Sequence, residues 1–89
     1  MNVLWIKLEQ DKKSFRIPEN LGFEVLKIRD TENIDKKIDE LIRKNYNTII
    51  LSNEIAGFSQ KINKEYLRNK NINIIIDKDH DNSIGGNLE

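Results

Sequence analysis

Asn47-Thr48-Ile49-Ile50-Leu51-Ser52-Asn53-Glu54-Ile55-Ala56 is an apolar run that ends abruptly in small polar residues and then passes into a helical pattern. Thr48 to Leu51 is β-branched or aliphatic at each position without polar alternation. That pattern predicts a strand covered on both faces, as in a parallel sheet, with helices on either side. The stretch carries no nucleophile–base pair, no phosphate-cradling glycine loop and no metal ligands. It therefore predicts a fold without a reaction.

Upstream of this strand, Thr31 to Asn45 reads as a helix. Ile34, Ile38, Leu41 and Ile42 recur at i, i+4, i+7 and i+8, while Lys and Asp/Glu fill most of the other positions. Asn33 or Thr31 is suited to cap its start, and Asn45 to end it in a left-handed turn. Downstream, Ile55, Phe58, Ile62, Tyr66 and Leu67 share one face of a second amphipathic segment, which Gly57 bends or delays. Farther out, Val3 to Leu8 predicts a first strand, Phe23 to Ile28 a second near a sheet edge, and Ile72 to Ile76 a fourth. Between the first two, Pro18 disfavours helix at Ile17 and Asn20-Leu21-Gly22 reads as a turn, so this connection is a single helical turn or irregular. Strands separated by helices of this length form βαβ units with right-handed crossovers. The expected fold class is a small two- or three-layer α/β domain with a four-stranded parallel sheet and receiver- or Rossmann-like topology. It occupies residues 1–76 and is followed by a polar, flexible tail over residues 77–89.

The 89 residues suit one domain. Only 37% are hydrophobic and 34% are charged, so the core has to be built economically from Ile, Leu and Val. Fifteen basic and fifteen acidic side chains cancel and are interspersed, which argues against nucleic acid or an anionic membrane as the main partner and favours a protein. Without cysteine there is no disulfide, thiol nucleophile or Cys-based zinc site, and a cytoplasmic location is the default expectation. No apolar run approaches the roughly 20 residues that cross a bilayer, so direct membrane insertion is not expected.

In open α/β sheets, functional groups gather at the carboxyl ends of the strands. Those ends are here Glu9 to Asp11, Arg29-Asp30, Ser52-Asn53-Glu54 and Asp77 to Asp79. Glu9 and Asp11 imitate the acidic pair of a phosphate-accepting receiver. Ser52 and Asn53, however, stand where its aspartate acceptor belongs, and neither supplies a carboxylate nucleophile. Asp77, Asp79 and Asp81 resemble the opening of a calcium loop, but Asn82 takes the glycine position and Leu88 the place of the bidentate glutamate. His80, the only histidine, lacks partners for catalysis or ligation. The expectation is no catalytic residue, no metal and no cofactor. Trp5 and the Ile34/Ile38/Leu41/Ile42 stripe read as core. Ser52, Asn53, Glu54, Ile55, Phe58 and Tyr66 are the candidate partner interface.

Asp11 to Gly22, Phe23 to Asp30 and above all Tyr46 to Ile76 resemble the small β-α-β subunit of the central stalk in V-type and A-type rotary ATPases. Phe15-Arg16 and Gly22 match the Phe-Arg/Lys pair and the glycine that the family places before its second strand. Ile49 to Ala56 matches its apolar strand running into a polar-acidic-Ile/Leu-Ala loop and a helix, and Gly85-Gly86-Asn87-Leu88 is similar to the approach to its C-terminal helix. Leu8, Glu9 and Gln10 stand where the family closes its first strand with Gly and Asp. The resemblance implies a divergent member lacking the C-terminal helix. It would be a non-catalytic rotor component, docked on the rotor shaft subunit and other soluble subunits, coupling ATP hydrolysis or synthesis to ion translocation at the membrane periphery. The alternative is a degenerate receiver-like or small ligand-binding module.

Overall fold

The structure, a computed structural model, describes residues 2–78. Along the chain come β1 (Val3–Leu8), α1 (Arg16–Asn20), β2 (Val25–Ile28), a 3₁₀ turn (Thr31–Asn33) that leads into α2 (Ile34–Ile42), β3 (Thr48–Ser52), α3 (Asn53–Phe58), a π-helical turn (Ile62–Tyr66) and β4 (Asn73–Asp77). All four strands are parallel, in the order β2-β1-β3-β4. The expected α/β class and four-stranded parallel sheet are therefore present. The proposed boundary after residue 76 falls inside β4, and the expectations for residues 79–89, including His80 and most of the calcium-like run, lie outside the described residues.

One face of the sheet is sealed. Leu4, Ile6 and Leu8 of β1, Ile28 of β2, Ile49 and Leu51 of β3 and Ile74 of β4 join Ile34, Ile38 and Leu41 of α2, Ile55 of α3, and Ile62 and Tyr66 of the π turn in one core. The opposite face is not sealed. Its central row is Val25, Trp5, Ile50 and Ile75, which are in register across the four strands, and all are only partly buried or exposed. Burial in β3 thus alternates where cover on both faces was expected. The reason lies in topology. Right-handed crossovers put helices on opposite faces when the chain steps in opposite directions along the sheet. Only β1 to β2 steps one way, so only the five-residue α1 is available for that side. Trp5, expected in the core, is half-buried there and meets Phe23 with ring centroids 5.1 Å apart.

Local chemistry sets the connections. Asp11 Oδ1 accepts from the Lys13 and Ser14 amides, and the turned chain brings the buried Phe15 to φ +62°, a left-handed conformation uncommon for a bulky side chain. Helix α1 closes with paired bonds from the Gly22 amide to the Glu19 carbonyl and from the Phe23 amide to the Pro18 carbonyl. That arrangement needs a left-handed residue at position 22, and Gly22 has φ +90°. The capping side chain is Asp30, which accepts from the Glu32 amide at the start of the 3₁₀ turn that leads into α2, rather than Thr31 or Asn33; Asn33 instead donates to Asp30. Asn45 is left-handed, as expected.

The long helix expected over residues 55–67 is broken at Ser59. Asp35 of α2 accepts both the Ser59 hydroxyl and the Gln60 amide, so the chain leaves helical geometry to satisfy a carboxylate on a neighbouring helix. When it coils again, Leu67 and Tyr66 bond back to Ile62 and Lys61, five residues earlier. The Tyr66 hydroxyl then lies 2.9 Å from both the Asp35 carbonyl and the Asp39 carboxylate, and Lys61 is 3.0 Å from Asp39. Burial opposes charge on Asp39, but the hydrogen bonds from Lys61 and Tyr66 outweigh it and hold the carboxyl below its ordinary range. The same burial, together with Asp39, pushes the Tyr66 phenol upward.

A carboxyl whose pKa is lower in the folded state stabilises the fold above its unfolded value, and that contribution is lost as pH falls through the folded one. The melting temperature is therefore expected to drop as pH is lowered below about 4. Asp39→Asn should flatten part of that fall, and a melt series matching the wild-type slope would refute this role. Tyr66→Phe, which removes the donor and keeps the ring, should cost about 1–2 kcal/mol in urea unfolding at neutral pH.

Candidate functional site

The sheet's order reverses between β1 and β3, because the chain leaves β1 toward β2 and leaves β3 toward β4. The loops after these two strands diverge there and leave a cleft at the carboxyl edge. It holds about 580 Å³ and is lined by Gln10, Asp11, Lys12, Lys13 and Ser14 from the β1 loop and by Asn53 and Glu54 from the start of α3.

On the β3 side, Ser52 is 1% exposed and its hydroxyl accepts from the Ile55 amide, which caps α3. Its extended backbone (φ −65°, ψ 155°) turns the strand directly into the helix. Ile55 beneath is fully buried in the core. Strand end, cap and helix start are thereby locked, and what they present outward is Asn53, Glu54 and, at the far end of α3, Phe58, which is 51% exposed. This corrects the candidate interface. Ser52, Ile55 and Tyr66 are interior groups that bond or pack within the chain and have no surface to offer a partner. Asn53, Glu54 and Phe58 keep theirs.

On the β1 side, Asp11 is fixed by the two amides of its own loop. Burial raises its pKa, but hydrogen bonds from Ser14 and Lys13, together with an interaction with Glu54, outweigh it and leave the carboxyl below its ordinary range. Glu9 is turned away from the cleft and pairs with Arg29, Nε to Oε1 at 2.6 Å and Nη2 to Oε2 at 3.2 Å, clasping the ends of β1 and β2. Glu9 and Asp11 thus have separate hydrogen-bond partners, although both line a smaller cavity of about 160 Å³ beside Lys7, Lys12 and Arg16. Among the described residues no group of three or more His, Cys, Asp or Glu side chains is arranged to hold a metal ion. No buried side-chain nitrogen or oxygen among them lacks a hydrogen-bond partner.

Lys7 escaped the sequence reading. It is 3% exposed, on the α1 side of β1, and its ammonium donates to the Ser14 carbonyl at 2.8 Å and lies 3.8 Å from Glu19. Glu19 also binds Lys27 at 2.7 Å. This triad holds α1 against the strands. A charge inside Val3-Leu4-Trp5-Ile6-Lys7-Leu8 was the available signal, since a buried cation requires an acceptor nearby.

No family model, curated protein or solved structure matches the chain. None of the helices among the described residues is long and apolar enough to cross a membrane.

Ser52→Ala is expected to lower stability by about 1 kcal/mol through loss of the cap. The loss should read as a fall of roughly 4–8 °C in melting temperature for a chain of this size. Asn53→Ala, one residue on and exposed, should stay within about 0.5 kcal/mol of wild type. Equal effects at the two positions would show that the cap is not what holds this corner.

Proposed function

We propose that the protein is a non-catalytic docking subunit of a rotary ATPase of the V or A type, seated on the coiled-coil shaft of the central stalk. The observation that carries this reading is the junction from β3 into α3. There Ile49 to Ala56 resembles the most recognisable segment of the small central-stalk subunit and forms a rigid corner that turns Asn53, Glu54 and Phe58 toward solvent. A docking subunit in a rotating assembly has to transmit torque through its contact. A corner pinned by a buried cap, a fully buried Ile55 and strand pairing on both sides of β3 suits that load. An exposed aromatic beside polar groups is the composition that anchors protein contacts. The coupling of ATP hydrolysis or synthesis to ion movement would belong to the whole assembly.

The second reading, a small ligand-binding or degenerate receiver-like module, is favoured by the cleft between the β1 and β3 loops, which lies where doubly wound sheets bind ligands. It would need a ligand that tolerates Asp11 and Glu54 and is drawn by Lys12 and Lys13.

Co-expression with the shaft subunit encoded in the same genome is expected to give a complex that survives gel filtration. The variant Asn53→Lys/Glu54→Lys/Phe58→Asp should abolish it while retaining the wild-type circular dichroism spectrum. Failure of the wild-type chain to co-purify would sink the rotor reading, and a specific thermal shift with a phosphorylated or nucleotide ligand, lost in Lys12→Ala/Lys13→Ala, would establish the second.

A further inference from the structure

The α1 side of the sheet has a shape and a charge pattern that fit each other across a two-fold axis. Over the β1 half, α1 stands up as a ridge with Ile17 72% and Leu21 70% exposed. Over the β3–β4 half there is a trough of about 880 Å³, floored by Trp5, Ile50 and Ile75 and bounded by Phe15, Arg16 and Ile17. Lys13 and Arg16 stand on the ridge side, at the carboxyl end of the strands. Asp77 stands at the same end on the opposite rim. None of these three charges has an ion-pair partner among the described residues, unlike Lys7, Lys27 and Glu19 beneath the ridge.

We infer that this face binds a second copy of the chain, with the two-fold axis parallel to the strands. That axis keeps carboxyl end with carboxyl end and exchanges left for right. Each α1 ridge then enters the other copy's trough, Ile17 and Leu21 meet Ile50 and Ile75, and Lys13 and Arg16 of each copy meet Asp77 of the other. A two-fold axis across the strands would instead set ridge on ridge. Isologous contacts require a self-complementary patch, and this one is complementary in relief, apolarity and charge at once. Four strands about 4.8 Å apart and five residues long at about 3.3 Å per residue make a floor of roughly 320 Å² before side-chain relief and α1 are added. That is below the ~800 Å² per partner of a standard interface, so self-association is to be looked for at high protein concentration. The face is distinct from the Asn53/Glu54/Phe58 corner, and the inference does not depend on the rotor reading.

The test is sedimentation equilibrium on the full chain and two charge variants, Asp77→Lys and Lys13→Glu/Arg16→Glu. Wild type should show a concentration-dependent monomer–dimer equilibrium. Each variant alone places like charges at both pairs and should weaken self-association at least about tenfold. An equimolar mixture should recover a heterodimer, because the lysine introduced at position 77 of one chain then meets the two glutamates introduced at positions 13 and 16 of the other. Ile75→Lys should dissociate the dimer and leave the melting temperature at concentrations where wild type is monomeric little changed. A wild type monomeric at the highest concentration, or a dimer indifferent to all three variants, overturns the inference. Loss of shaft-subunit binding in these variants with no wild-type dimer would assign the face to a partner helix instead, and equally overturns it.

Discussion

Handedness of the crossovers governs the rest of this molecule. With strand order β2-β1-β3-β4, two of the three connections step in one direction along the sheet and one steps in the other. Right-handed connections then assign α2, α3 and the π turn to one face and leave α1 alone on the opposite side. The chain places its limited apolar content accordingly. Ile and Leu are concentrated on the two-crossover face, where the buried residues form a continuous core. The α1 face receives one row of Val25, Trp5, Ile50 and Ile75 between polar neighbours. Burial of apolar area contributes about 25 cal/mol per Å², so almost all the hydrophobic stabilisation comes from the first side.

The polar interactions hold geometry that the apolar core alone does not set. Asp35 and Asp39 on the half-buried flank of α2 collect Ser59, Gln60, Lys61 and Tyr66, and so fix where the third crossover breaks and where it coils again. Lys7, Glu19 and Lys27 do the same for α1, whose five residues include too few inward apolar groups to hold it by packing. The Ser52 hydroxyl fixes the third corner, between β3 and α3. Each contact is modest on its own. Together they define the loops after β1 and β3, and hence the cleft and the exposed corner.

Periodicity carried a good part of the fold. The stripe Ile34/Ile38/Leu41 is the buried face of α2, and Val3 to Leu8 is β1 to the residue. Of the expected turn Asn20-Leu21-Gly22, Leu21 and Gly22 turn while Asn20 ends α1, and Gly22 takes the left-handed position because it is free of Cβ strain. Three features were not legible, for separate reasons. The split at Ser59 depends on Asp35, twenty-four residues earlier, and no local pattern holds that information. Thr48 to Leu51 looks buried on both faces because Ile50 is as apolar as Ile49, although cover depends on strand order. In the candidate interface, residue type beside a loop does not separate the side chains that build the structure, Ser52, Ile55 and Tyr66, from those it displays.

That separation distinguishes two surfaces. The β3–α3 corner presents few groups from a backbone pinned on several sides, so their positions are set by the fold itself. The α1 face presents more apolar area from an element held chiefly by the Lys7–Glu19–Lys27 triad and by Phe15. Phe15 is kept left-handed at a conformational cost of about 1–2 kcal/mol that its burial offsets. A ridge so lightly attached can adjust to what it meets. Cover over Trp5, Ile50 and Ile75 would remove water from a row that the fold's own topology leaves with one short helix, and stability would then depend on the concentration of whatever covers it.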